Sequence, residues 1–161
     1  MYSIRLEGDI SRLTKTLKRM ENTNFKGINQ AIAESLRTTT RERFKDQKSP
    51  SGKEWKKSIR ARERGGVTLS DSARLKNSIR SRSDGSSAVV GTNTIYARTH
   101  QFGDTRTIRA RAKNGLKFKI GNKWVTKKQV TIRIPERPFL GISEEDTKEI
   151  QSILEDALRD K

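Results

Sequence analysis

Tyr2, Ile4 and Leu6 alternate with polar residues, the period-two pattern of a short half-buried strand, and Gly8-Asp9 ends it. Asp9 suits the N-cap of a helix whose apolar positions are Leu13, Leu17 and Met20. After Asn22-Thr23-Asn24 the apolar residues return at helical spacing: Phe25, Ile28, Ile32 and Leu36, extended by Ala31, Ala33 and Phe44. The spacing predicts a second helix over residues 25–46, roughly 33 Å long at 1.5 Å per residue. Within it Thr38-Thr39-Thr40 is poor helix material, since branched and hydroxyl side chains lose rotamer freedom and compete for the backbone. Burial must hold that turn.

Residues 46–66 are polar, charged and broken by Pro50, Gly52 and Gly65-Gly66, which predicts a loop around a Trp55 anchor with one helical turn. Ser70 or Asp71 starts a short helix through Leu75, and the segments Ile79 to Arg82 and Ala88 to Gly91 flank Asp84-Gly85, a hairpin turn signal. Further on, Leu116-Lys117-Phe118-Lys119-Ile120 alternates, Gly121-Asn122 turns, and Lys123-Trp124-Val125 returns. Val130, Ile132 and Ile134 alternate again before Pro135, so this region reads as a β-hairpin with an extra strand. Phe118 shares its phase with Leu116 and Ile120 and is expected in the core, with Trp124 capping it across the turn. Thr105–Asn114 has little to bury and is expected to be mobile by itself.

At the C-terminal end Ser143 caps a helix, Asp146 stands three residues on as in a capping box, and Glu144 and Glu145 complement the helix dipole. Ile150, Ile153, Leu154, Ala157 and Leu158 form one face. Together the patterns predict an α+β fold: a small, mainly antiparallel sheet packed with two N-terminal helices and one C-terminal helix, with a basic hairpin or arm projecting. No internal repeat or long linker divides the chain, so residues 1–161 are expected to form a single domain, with 104–128 its basic projecting segment.

Hydrophobic residues make up 30% of the chain, against about 45–50% in an ordinary globular domain counted with glycine. So thin a core favours a protein that buries surface against other subunits. The formal charge is +17 and unevenly spread: residues 41–137 hold 26 basic against 8 acidic groups, while 138–161 hold 3 against 7. Such a field attracts polyanions or an acidic protein, and its effects weaken with salt. The aromatic residues among these cations, Phe118 and Trp124, add little, because Phe118 has a core phase. The N-terminal stretch has no signal-peptide apolar run and no 18-residue apolar segment occurs, so a cytoplasmic protein without a membrane span is expected.

The sequence lacks the usual parts of an enzyme. There is no cysteine and one histidine, His100, so a zinc site would have to be built from carboxylates. A Ser-His-Asp triad would need His100 as base, yet no Gly-x-Ser-x-Gly elbow and no glycine-rich phosphate loop are present. His100 beside Tyr96 and Phe102 reads as a packed residue, and the last helix's carboxylates as a solvated, capped start. No catalytic residue, metal or cofactor is expected.

Five motifs remain, in order: Pro50-Ser51-Gly52-Lys53-Glu54-Trp55, Leu75-Lys76-Asn77-Ser78-Ile79, Val90-Gly91-Thr92, Tyr96-Ala97-Arg98-Thr99-His100-Gln101-Phe102-Gly103 and Pro135-Glu136-Arg137-Pro138-Phe139-Leu140-Gly141. In this order they resemble the phage virion morphogenesis family, the tail-completion proteins of Mu-like phages and prophages, from about residue 5 to the end. Where that pattern would have glycine near position 73, this chain has Ala73. The resemblance implies a structural protein of a virion, assembled in the host bacterial cytoplasm and acting at head–tail joining or tail completion. Its implied partners are further copies in a neck ring, a hexamer, with neighbouring neck and tail proteins and packaged DNA in the channel. On the residues themselves, Arg106, Arg109, Arg111, Lys113, Lys123, Lys127 and Lys128 are expected to contact DNA or an acidic partner. Trp55, Tyr96, His100, Phe102, Arg137, Phe139 and Leu140 are expected to anchor the core or a subunit interface. The competing reading is a free nucleic-acid-binding protein that uses its basic middle.

Overall fold

The computed structural model describes Thr14, Lys15, Lys18, Met20 and residues 23–159. Those first four residues are helical, where the first helix is expected, while the strand at Tyr2–Leu6 and the apolar positions Leu13 and Leu17 lie outside the described residues. The helices then run α1 (Phe25–Asp46), α2 (Ile59–Glu63), α3 (Arg74–Asn77), α4 (Ala97–Phe102) and α5 (Glu144–Arg159). The strands are β1 (Arg80–Ser83), β2 (Ala88–Gly91), β3 (Asp104–Arg109), β4 (Leu116–Ile120), β5 (Lys123–Lys127) and β6 (Gln129–Ile134). The fold is α+β, with the strands distributed over three two-stranded sheets, β1-β2, β3-β6 and β4-β5.

The chain divides into two compact units. One comprises residues 1–39, 80–90 and 142–161. There α1 buries Ile28, Ile32 and Ala33, and Asn29 Nδ2 donates to the Asp84 carbonyl at 2.9 Å. The β1-β2 turn forms because the Asp84 carboxylate accepts the backbone N–H groups of Ser86 and Ser87, each at 2.8 Å, and both serine hydroxyls. These bonds hold its pKa down to about 2, the backbone N–H of Ser86 contributing most. The capping box of α5 closes as expected: Asp146 N–H donates to Ser143 Oγ at 3.1 Å, and Ser143 N–H to Asp146 Oδ2 at 2.8 Å.

The second unit comprises residues 40–79 and 91–141. The threonine turn of α1 ends in it with Thr40 buried, while in the other unit Thr38 Oγ1 bonds back to the Glu34 carbonyl at 3.0 Å. The helix expected from Ser70 or Asp71 starts later, at Arg74, because Ala73 takes the left-handed conformation (φ 54°) and cannot lie inside a helix.

Two strand readings change. Val130–Ile134 does not extend the Leu116–Val125 hairpin: β6 pairs antiparallel with β3, from Asp104↔Ile134 to Arg109↔Gln129. The segment expected to be mobile from Thr105 is therefore paired as far as Arg109, since Thr105, Thr107 and Ile108 suit a strand and meet Arg133, Thr131 and Val130 across the ladder. Ala110 N–H continues the pairing to the Lys128 carbonyl at 2.8 Å, residues 110–115 turn, and β4-β5 forms the distal hairpin. Residues 104–134 thus hold two successive two-stranded ladders, β3-β6 and then β4-β5, together called the ribbon.

Candidate functional site: a motif clamp and a basic ribbon

Three of the sequence motifs meet at one place in the second unit. Gly52, at φ 78°, closes a tight loop in which Ser49 N–H bonds the Lys53 carbonyl at 2.8 Å, and Trp55 N–H returns to the Gln47 carbonyl at 2.7 Å. This aims the Trp55 indole at the chain around Phe139, where its Nε1–H donates to the Pro138 carbonyl at 2.9 Å. Phe44 lies between, 5.5 Å from Trp55 edge-to-face and 5.3 Å from Phe139, and Phe44 and Phe139 have no exposed surface.

The polar bonds around this core are made by side chains reaching backbone groups that no regular element satisfies. Gln101 Oε1 accepts the N–H groups of Phe139 and Leu140 at 3.0 Å each, while its Nε2 donates to the Leu140 carbonyl at 2.9 Å. The Arg137 Nε donates to the Lys56 carbonyl at 2.7 Å, and its own N–H to the His100 carbonyl at 2.7 Å. Arg43, buried on α1, donates through Nη1 to the carbonyls of Phe139 at 3.1 Å and Gly141 at 2.9 Å. Gly103, at φ 73°, packs where a Cβ would stand 3.0 Å from the Glu136 nitrogen and the Ile134 oxygen. The two other motifs are joined likewise, with Ser78 Oγ 2.6 Å from Thr92 Oγ1 and bonded to the Leu75 carbonyl at 2.7 Å.

All five motifs thus take part in hydrogen bonds that tie distant stretches of backbone together. A sequence model of the phage virion morphogenesis family matches residues 8–159, nearly the whole chain and both compact units. The chain belongs to the phage virion morphogenesis family. Neither the curated proteins nor the solved structures include a match to it. Membership makes it a virion-associated phage protein with a structural and assembly role.

Against that background the anchor residues of this family member sort into two sets. Trp55, Arg137 and Phe139 are buried, and Leu140 and His100 are half-buried. Tyr96 is 36% and Phe102 71% exposed, although both sit in the same motif as the buried Ala97. The His100 ring meets Tyr96 edge-on at 6.0 Å and its Nδ1 is buried without a partner. Burial, and then the Arg137 charge, push its pKa below the ordinary 6.5, which favours the neutral ring. It borders a cleft of ≈ 260 Å³ shared with Arg60, Asp71, Ser72 and Arg74, in which Asp71 is spent on an ion pair with Arg60 at 3.4 Å. Among the described residues no group of three or more His, Cys, Asp and Glu is placed to hold a metal ion, and no helix is long and apolar enough to cross a membrane.

All seven residues expected to contact DNA or an acidic partner lie on the ribbon and are exposed. Arg106 and Arg109 are on β3, Arg111 and Lys113 in the 110–115 turn, Lys123 and Lys127 on β5, and Lys128 between β5 and β6. The reading of Trp124 as a cap over the Phe118 side is overturned by the register. Trp124 pairs with Lys119, so it shares a face with Lys117 and Lys119, while Phe118 pairs with Val125 on the other. The half-turn of phase at Gly121-Asn122 decides this, and Trp124 stays 66% exposed with Lys117 Nζ 5.4 Å from its ring centroid.

Sequence reading missed Arg43 and Gln47, and gave Gln101 no role beyond its place in the motif. Gln47 Oε1 accepts the N–H of the fully buried Thr68 at 2.8 Å. For Arg43 a signal existed: a cation next to Phe44 inside the apolar periodicity of α1 has to find acceptors where it lies.

Proposed function

We propose that this family member acts at the head–tail junction, completing the tail as a homo-hexameric neck ring that contacts neighbouring neck and tail proteins. In this reading it forms in the host cytoplasm, works without catalysis, and points its ribbon toward DNA in the channel. The observation that carries the ring is Phe102. It stands between Gln101 and Gly103, which hold the clamp, yet it is 71% exposed on α4, following Ile95 at 95%. Large apolar groups exposed at fixed places on a charged monomer fit a surface covered by another subunit. A thin core fits the same account.

The test is Phe102→Glu in the phage. The isolated protein is expected to keep its circular dichroism spectrum, because the side chain is 71% exposed. Light scattering is expected to show loss of the oligomer, and particles to lack joined tails. Normal particles with the charged residue in place would reject the contact. The free nucleic-acid-binding reading draws on the same ribbon and predicts the chain's absence from purified particles by mass spectrometry.

A further inference from the structure

The distal hairpin β4-β5 has two unlike faces. Register places Lys117, Lys119, Trp124 and Thr126 on one, and Leu116, Phe118, Ile120 and Val125 on the other, with Lys123 and Lys127 at its margins. A tryptophan left 66% exposed beside lysines has no folding role to explain it: it pairs with Lys119 across the ladder and touches no core. Trp55, the other tryptophan, is 6% exposed and hydrogen-bonded. Ten cations stand on residues 104–134 against the single carboxylate of Asp104, which pairs with Arg106 at 3.5 Å. Among the described residues this is the ribbon's one ion pair.

We propose that the Lys117-Lys119-Trp124 face is a DNA-contacting surface, with the hairpin lying in a groove of the duplex. In that pose Lys117 and Lys119 meet backbone phosphates, and the Trp124 indole presses against the sugar and base edges of the groove. The proposal rests on the assembly reading and names the ribbon's partner within it. Three observations select duplex DNA. A two-stranded ribbon is the width that the major groove admits. The cations lie on both faces and in the 110–115 turn, so phosphates on both sides of a groove are within reach, whereas a single strand would need one track. A second copy is the weaker partner: each copy carries +17, and the acidic segment 138–161 offers only 7 carboxylates against 3 cations. A polyanion offsets that repulsion.

The experiment is a fluorescence titration of the full chain with a short mixed-sequence DNA duplex and with one of its strands, over a range of salt. Buried Trp55 serves as internal reference. The duplex is expected to change the exposed-tryptophan emission, and Trp124→Phe to abolish that change. Trp124→Ala is expected to weaken duplex binding several-fold with unchanged circular dichroism. For Lys117→Glu/Lys119→Glu, the slope of log affinity against log salt should fall by about 0.9 for each phosphate that the variant no longer neutralises. Arg106→Glu/Arg109→Glu separates this face from the base of the ribbon. If that pair weakens binding while the Trp124 and Lys117/Lys119 variants bind as the parent does, the hairpin contact is overturned and the assembly reading stands. Tighter binding to the single strand overturns the groove geometry. If the duplex does not bind and Trp124→Ala instead changes the oligomer seen by light scattering, the face is a protein contact and the proposal fails. Presence in purified particles, measured separately, decides the assembly reading.

Discussion

Phe139 shows how much of the fold one side chain carries. Its ring is inaccessible to solvent, packs on Phe44, and its backbone is held from both sides by Gln101 and Arg43. Phe139→Ala is expected to cost about 3–5 kcal/mol, read from denaturant unfolding, because the clamp cannot collapse on the cavity. A loss below about 0.5 kcal/mol would mean that the ring is not what Trp55 and Phe44 close around. Ala73 makes the opposite case. It sits at φ 54° at the start of α3, where an L side chain strains against the backbone, at the position where the family resemblance has glycine. Ala73→Gly is expected to raise stability by up to about 1 kcal/mol, the relieved strain exceeding the unfolded-chain entropy that glycine adds. His100 gives a pH dependence. Its folded pKa lies below the ordinary 6.5, lowered first by burial and then by Arg137. The unfolded state therefore takes up the proton first, so stability is complete above pH 6.5 and falls as the pH drops below it. A ring titration followed by NMR is expected to give a midpoint under 6.5, and a higher midpoint would contradict the burial of the ring.

At the scale of elements, legibility followed how local the causes were. The α5 capping box, the Phe25–Asp46 helix and the turns at Asp84 and Gly121 could be read because each is decided within a few residues. The partner of β6 could not, since β3 stands a whole hairpin away in sequence and Thr105–Arg109 has too few apolar residues to announce a strand. The face of Trp124 was missed for the same kind of reason: across a turn, one residue of register exchanges the faces of a strand. The clamp was half legible. Its motifs stood out by their Gly, Pro and aromatic content, but the residues that bind them, Arg43 and Gln101, are polar side chains whose acceptors lie far along the chain. The ribbon itself supports a prediction. Replacing Arg106, Arg109, Arg111 and Lys113 by Glu is expected to leave the ladder intact by circular dichroism, since all four are exposed, while reducing infectivity and neck assembly. Full infectivity with a reversed ribbon would deny it a role in the particle.

For the whole molecule, charge and core size point the same way. A chain of 161 residues at +17 with 30% hydrophobic residues gains from partners that cover apolar surface and offset like charge. Family membership over residues 8–159 makes the chain a virion-associated protein, and in the proposed account those partners are parts of the particle. The exposed Phe102 and the cationic ribbon are, in the proposed account, where neighbouring subunits and DNA meet this chain. The central claim is a position: a ring at the junction of head and tail. The direct measurement is immunogold electron microscopy of purified particles with antibody against this chain, including particles partly disrupted to expose the neck. The account predicts gold at the head–tail junction and at the upper end of detached tails. Gold confined to the capsid shell or the distal tail, or particles free of the chain by mass spectrometry, would contradict it.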